Sequence, residues 1–96
     1  MLSKVLIIAN PGSGKGEAPE YARQLAENLL EAYDCDVEIR ETTEVGDAEK
    51  WAKEAKAEQF DTVICLGGDG TVNEIVNGLM QVTNPPQFSF VPMGTA

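Results

Sequence analysis

Histidine is absent from this chain, and basic residues are scarce: seven lysines and arginines stand against sixteen aspartates and glutamates. Without histidine the chain lacks the commonest zinc ligand and the usual acid/base catalyst at neutral pH. The formal charge of −9 argues against nucleic acid as a partner and against electrostatic adsorption to anionic lipid. Any chemistry must therefore rest on carboxylates, hydroxyls, lysine or a bound metal ion.

Cysteine and long apolar runs are also scarce. The two cysteines, Cys35 and Cys65, do not make a disulfide framework, and Cys65 falls in a predicted buried strand as a small hydrophobe. The longest apolar run, residues 5–9, is too short for a membrane span or a signal peptide. We therefore expect a cytoplasmic protein, and its 96 residues make at most one small domain.

Strand and helix patterns alternate along the chain, as is typical of a parallel sheet covered on both faces. Continuous apolar runs at residues 4–9 and 63–66 predict central strands. Apolar and charged residues alternate over residues 37–40, which predicts an edge strand, and residues 88–91 form a fourth strand. The sequence therefore predicts a three-layer α/β/α, Rossmann-like open parallel sheet with strand order 2-1-3-4.

Three apolar stripes at helical spacing lie between these strands. The first runs from residue 18 to 33 and includes two tyrosines, and the third runs from residue 72 to 79. The second covers residues 48–55, with Asp47 as its predicted N-cap and Trp51 packed at the core or its rim. Each of the three connections between the predicted strands therefore contains a predicted helix.

The most informative segment is residues 67–71, Gly-Gly-Asp-Gly-Thr, at the junction of the third strand and the third helix. Its glycines free the backbone to take φ > 0, so that several N–H groups can converge on one anion. Asp69 would repel a nucleotide unless a cation lay between them, so we expect it to hold Mg²⁺ on the phosphates. Thr71 and Glu74 fit a capping box that would fix the helix N-terminus beside the anion. A purely steric glycine-rich turn is the alternative.

A second glycine-rich loop, residues 10–16, follows the first strand, but it fits neither the Walker A spacing nor the dinucleotide fingerprint. In isolation it is a phosphate loop or a flexible polar turn. The predicted strand order places both loops at a topological switch point, the expected binding crevice of such a sheet, and this favours a nucleotide site. Asn10, Ser13 and Lys15 offer polar or charged contacts to phosphate, and Thr42 is either a nucleotide contact or an ordinary strand residue.

Together these segments resemble the nucleotide-binding half of the diacylglycerol kinase catalytic family, which includes bacterial lipid kinases and sphingosine kinases. NAD kinases and phosphofructokinases share a similar Gly-Gly-Asp-Gly segment, but they lack the Asn-Pro opening and the Asn-Glu continuation seen here. The matching motifs are Asn10-Pro11 with Ser13-Gly14, Thr42 ahead of Gly46-Asp47, residues 67–74, Asn77-Gly78-Leu79 and residues 92–96.

The resemblance implies ATP-dependent phosphorylation of a lipid hydroxyl, that of diacylglycerol or a related lipid, in phospholipid biosynthesis. It implies Mg²⁺ as a cofactor and Asp69 as the catalytic residue that helps to order the metal. Family members place the general base and much of the metal site in a second, β-rich domain that receives the lipid. The implied ATP contacts are Asn10, Pro11, Gly12, Ser13, Gly14, Thr42, Gly67, Gly68, Asp69, Gly70, Thr71, Val72, Asn73 and Thr95.

The chain stops at Ala96, inside a motif that continues in the family, so we expect residues 1–96 to be an isolated or shortened nucleotide-binding domain without activity of its own. Its fourth strand would then be an open edge that invites pairing with a second copy. Transient membrane contact would come through the missing domain. Two alternatives stay open: an NAD kinase-like domain, which the Asn10-Pro11 opening disfavours, and a nucleotide-binding module without catalysis.

Overall fold

The computed structural model describes residues 3–12 and 16–93, in which four strands alternate with three helices. The strands are β1 (Lys4–Ala9), β2 (Asp36–Glu41), β3 (Thr62–Gly67) and β4 (Gln87–Pro92), and the helices are α1 (Ala18–Ala32), α2 (Asp47–Ala55) and α3 (Asp69–Leu79). All strands pair in parallel in the order β2-β1-β3-β4. The predicted α/β/α class and strand order are confirmed.

The two faces of the sheet pack against different helices. Along β1, Leu6 and Ile8 face the core formed with α2 and α3, whereas Val5 and Ile7 face α1. Every residue of β3 is buried, as is every residue of β1 after Lys4, in agreement with the continuous apolar runs. The chain therefore leaves β1 and β3 toward opposite faces, and their carboxyl ends frame the expected switch point.

Helix α1 contacts the sheet through alanines. Ala18, Ala22 and Ala26 are its buried residues, whereas Tyr21 is 44% exposed and Tyr33, just past the helix end, is 52% exposed. The predicted stripe is therefore correct in its alanines and wrong in its tyrosines. Small side chains at a packing contact allow a short distance between the elements, so the large rings lie at the margin.

Two residues assigned to packing by the sequence have that role. Cys65 is fully buried in β3, and this burial raises the pKa of its thiol to about 12. Trp51 is partly buried against the core of α2 and α3. A thiol held protonated inside the sheet and a ring at the edge of the core both stabilise the fold.

Helices α2 and α3 lie very close together at Gly78. A Cβ placed on Gly78 would clash with the backbone oxygen of Glu49 and lie 2.9 Å from the Cβ of Ala52. A Cβ placed on Gly70, in the same helix, would meet no atom within 4 Å. Glycine at position 78 therefore sets how close the two helices lie on that face of the sheet.

We expect Gly78→Ala to lower the free energy of unfolding by about 1–2 kcal/mol, because overpacking costs about 1–3 kcal/mol and the gain in helix propensity is at most about 1 kcal/mol. Gly70→Ala is the matched control, and its free energy of unfolding should not fall. Urea unfolding followed by circular dichroism measures both variants. Equal stability of the two would contradict the close contact at Gly78.

Candidate functional site

Asn10 joins the two predicted loops at the carboxyl ends of β1 and β3. Its backbone N–H donates to the carbonyl of Leu66 at 2.9 Å, which extends the pairing of the strands by one residue. Its side-chain Nδ2 donates to Thr71 Oγ1 at 3.2 Å, and its Oδ1 accepts from the N–H of Gly12 at 2.9 Å. One side chain thus closes the turn of the first loop and ties that loop to α3.

The remainder of the first loop is described in part. Pro11 and Gly12 form a turn directly after Asn10. Three predicted ligand contacts, Ser13, Gly14 and Thr95, lie outside the described residues, as does Lys15. Their predicted roles therefore stay predictions.

Helix α3 begins earlier than the capping-box prediction required. Gly68 is the N-cap, with φ −98° and ψ −169°, and residues 69–71 form the first turn without a side-chain cap. Thr71 is buried, and its hydroxyl accepts from Asn10. The capping box is wrong because the helix starts before Thr71, which leaves Glu74 too far along the helix to reach the first amides.

The glycines of this segment allow close approach, and none of Gly67, Gly68 and Gly70 is among the described residues with positive φ. A Cβ on Gly67 would lie 3.0 Å from the hydroxyl oxygen of Thr71, so glycine at the strand end lets the first helical turn lie close above it. Gly70 borders open space. The prediction of positive φ at these glycines is therefore wrong. The prediction that side chains leave the backbone open is correct at Gly70.

The first turn of α3 carries backbone N–H groups that have no acceptor within the helix. A helix N-terminus favours negative charge, and α3 begins at the switch point. Asp69 is exposed at the first position of this helix. Within residues 3–12 and 16–93 no three histidine, cysteine, aspartate or glutamate side chains form a metal-binding group. A cation at Asp69 would therefore take its other ligands from phosphate oxygens and water.

The two residues after Thr71 are not among those that line the crevice. Val72 packs partly buried against the core between α2 and α3, and Asn73 is exposed on the helix. A contact from Val72 to a ligand would have to come from its backbone. The structure thus brings Asn10 and Thr71 into contact and leaves Val72 in the packing layer.

The loop between β2 and α2, residues 42–46, forms a third wall of the crevice. The N–H of Thr42 donates to the carbonyl of Ala9 at 2.9 Å, so the pairing of β1 with β2 continues into this loop. Asp47 Oδ2 accepts from Thr43 N at 2.9 Å, from Thr43 Oγ1 at 3.1 Å and from Glu44 N at 3.0 Å. The two backbone hydrogen bonds, from Thr43 and then Glu44, are the main reason that the pKa of Asp47 is lowered.

Gly46, and not the predicted Asp47, is the N-cap of α2. Gly46 has φ +98°, a left-handed conformation that glycine adopts without a steric cost. Asp47 is the first helical residue, and its carboxylate turns back to the loop, so it does not cap the helix. The N–H of Gly46 donates to Glu74 Oε1 at 3.0 Å, which connects this loop to α3.

A cleft of ≈ 230 Å³ lies between these three walls. Sequence reasoning named Asn10, Thr42 and Thr71 as site residues, but it missed most of the β2–α2 wall, including Val45, which is 96% exposed. The available signal was the polar run that directly follows the carboxyl end of an edge strand. The cleft is lined by Asn10, Thr42, Thr43, Glu44, Val45, Ala48, Thr71 and Glu74.

Fold and crevice together define an open α/β domain with its candidate binding site at a topological switch point. The sequence profile of the diacylglycerol kinase catalytic domain matches residues 4–96. The chain therefore belongs to the diacylglycerol kinase catalytic domain family, as the motif resemblance predicted.

Relatives and solved structures agree with this assignment. The chain is 38% identical over 94 residues to a diacylglycerol kinase of Bacillus subtilis, with 98% of this chain and 31% of the relative covered. It is 39% identical over 97 residues to a diacylglycerol kinase of Staphylococcus aureus, with 99% of this chain and 30% of the relative covered. A crystal structure of a diacylglycerol kinase from Bacillus anthracis superposes with a TM-score of 0.83 at 38% identity, covering 98% of this chain and 34% of that one. The chain thus spans about a third of the length of these proteins.

We expect Asn10→Ala to lower the free energy of unfolding by about 1–3 kcal/mol, because it removes two hydrogen bonds, one of them to a buried hydroxyl. Asn73→Ala is the matched control, since Asn73 is an exposed asparagine on α3, and its effect should stay within about 0.5 kcal/mol. Urea unfolding measures both. Equal effects would show that the contacts of Asn10 do not hold the loops together.

Proposed function

We propose that this chain is the ATP-binding domain of a kinase that transfers the γ-phosphate of ATP to a lipid hydroxyl, that of diacylglycerol or a related lipid. The family match supports the lipid kinase part. The observation that carries the ATP part is the contact between Asn10 and Thr71, because it holds a turn and the uncapped start of α3 together at the switch point. The backbone N–H groups of an uncapped first helical turn suit the phosphates of a nucleotide.

In this proposal Asp69 binds the metal. Asp69 is one of the acidic residues behind the chain's charge of −9, and its carboxylate would lie beside the bound phosphates, so a divalent cation between them would strengthen the binding of ATP. Bound Mg²⁺ would neutralise charge on the phosphoryl group that is transferred. The backbone of residues 67–71 and the loop after β1 would orient the nucleotide, and such positioning accounts for much of the rate in phosphoryl transfer.

The general base and the lipid-binding surface are proposed to lie in a second domain. The relatives are about three times as long as this chain, and the proposal places both in the part that the chain does not match. Residues 1–96 would then bind nucleotide without turnover. Of the alternatives, the family match favours a lipid acceptor over the ribose of an NAD kinase-like reaction.

Membrane contact, location and nucleic-acid binding complete the proposal. In the part of the chain that the structure describes, no helix has the length and apolarity that crossing a bilayer needs. We propose that membrane contact is transient and made by the second domain. A cytoplasmic location and the lack of a nucleic-acid partner stay predictions from the sequence.

Calorimetric titration of ATP tests the proposal with wild type, Asp69→Ala and, as the matched control, Asp36→Ala. Asp36 is an exposed aspartate at the start of β2, so this variant loses the same charge at the opposite end of the sheet. With Mg²⁺ we expect Asp69→Ala to bind ATP about tenfold more weakly than wild type, since a metal ligand is lost. Without Mg²⁺ we expect it to bind at least as tightly as wild type, because repulsion is removed.

Two results would contradict the proposal. One is the same affinity in wild type and Asp69→Ala under both conditions, which would remove Asp69 from the site. The other is phosphorylation of lipid by residues 1–96 alone, which would show that the general base lies within this chain.

We also propose that β4 pairs with a second copy of the chain. Among the described residues β4 pairs with β3 on one side only. The N–H groups of Gln87 and Met93 donate toward β3, so by alternation that of Phe90 points to the open edge. Sedimentation at rising concentration should show dimers that Phe90→Pro abolishes. A strictly monomeric wild type at high concentration would refute this pairing.

A further inference from the structure

Glu74 connects two walls of the cleft. It lies half-buried within α3, and its Oε1 accepts from the N–H of Gly46 at 3.0 Å, across 28 positions of the sequence. Glu74 lines the cleft itself, and so do residues 42–45 of the loop that ends at Gly46. This hydrogen bond therefore links the two walls of the cleft directly.

The other hydrogen bonds of this loop are local or lead to the sheet. Asp47 holds Thr43 and Glu44 and so shapes the loop internally. Thr42 is fixed to the end of β1. Neither contact reaches α3. Gly46 itself has two connections: its carbonyl accepts from the N–H of Lys50 in α2 at 3.0 Å, and its N–H donates to Glu74 in α3.

Two other contacts between α2 and α3 lie further along the helices. Gly78 packs against the backbone at Glu49, and Gln81 Nε2 donates to Glu49 Oε2 at 3.2 Å. These contacts set the spacing of the two helices one to two turns beyond Glu74. At the cleft itself Ala48 belongs to the core that α2 shares with α3, and the hydrogen bond between Glu74 and Gly46 joins the loop to α3.

We propose that Glu74 is a positioning residue of the nucleotide site, which sets the width of the cleft by holding Gly46, and that it does not bind the metal. This inference rests on the proposed function. A carboxylate in a cleft for phosphates repels them, but as an acceptor for a backbone N–H it forms a stronger hydrogen bond than a neutral group. Glutamine keeps the acceptor oxygen and removes the charge. Glu74→Gln should therefore retain a positioning role and lose a metal-binding role.

The test compares Glu74→Ala and Glu74→Gln with Glu49→Ala as the matched control, which removes a carboxylate that bonds across the same helix pair away from the cleft. Hydrogen exchange at the Gly46 amide, measured by NMR without nucleotide, reports the contact directly. We expect exchange about fivefold faster in Glu74→Ala, the size expected for one hydrogen bond, and close to wild type in the other two variants.

Titration with ATP and Mg²⁺ reports the consequence for the site. We expect the Kd to rise about fivefold in Glu74→Ala and to equal or fall below the wild-type value in Glu74→Gln, since acceptor geometry is kept and repulsion is lost. Glu49→Ala should bind as wild type does. Urea unfolding of Glu74→Ala and Glu49→Ala separates a general loss of stability from an effect on the cleft.

Each contrary result has a separate meaning. Unchanged exchange at Gly46 in Glu74→Ala, or faster exchange with unchanged Kd, would overturn the positioning role. Binding as weak in Glu74→Gln as in Glu74→Ala would assign the role to the charge and so to the metal. If wild type binds no ATP, the proposed function fails for this chain, and the exchange at Gly46 still decides whether Glu74 holds the loop.

Discussion

The pairing of β1 with β3 is the constraint on which the rest of the structure depends. Both strands are buried on both faces, so neither can move to an edge, and the connections that leave them must cover opposite faces of the sheet. The crevice between their carboxyl ends follows directly from this arrangement. Asn10 continues the ladder by one residue and then turns its side chain to Thr71, so the same pairing also fixes the relative position of the two loops.

Sequence patterns predicted the layers well because they record burial, which depends on the period of apolar residues. They failed at both helix starts for one shared physical reason. The predicted capping residues Asp47, Thr71 and Glu74 all accept hydrogen bonds from residues of another loop or of the preceding loop, so partners outside the helix replaced the first-turn amides. A capping rule considers only the amides of the helix's own first turn and does not detect such partners. Sequence patterns also missed Val45, which lines the cleft because it belongs to the loop between β2 and α2 that Asp47 shapes.

Two carboxylates near the cleft of this acidic chain have structural partners. Glu74 lines the cleft and Asp47 shapes the loop that forms one wall, and both accept hydrogen bonds from backbone N–H groups. Asp69 differs from them, since it is exposed at the positive end of a helix dipole. The distinction between a carboxylate that holds a loop and one that is exposed at a helix start thus depends on tertiary partners, which composition alone does not reveal.

The site described here is held together from within the chain, although the chain spans about a third of its relatives. Each pair of adjacent walls shares a hydrogen bond: Asn10 with Thr71, Thr42 with Ala9, and Gly46 with Glu74. None of these contacts requires a residue outside residues 3–93. In the proposed function, recognition of the nucleotide would therefore be a property of this domain, and the choice of acceptor would depend on groups outside it. The proposed division would also account for a similar Gly-Gly-Asp-Gly segment in kinases with different acceptors.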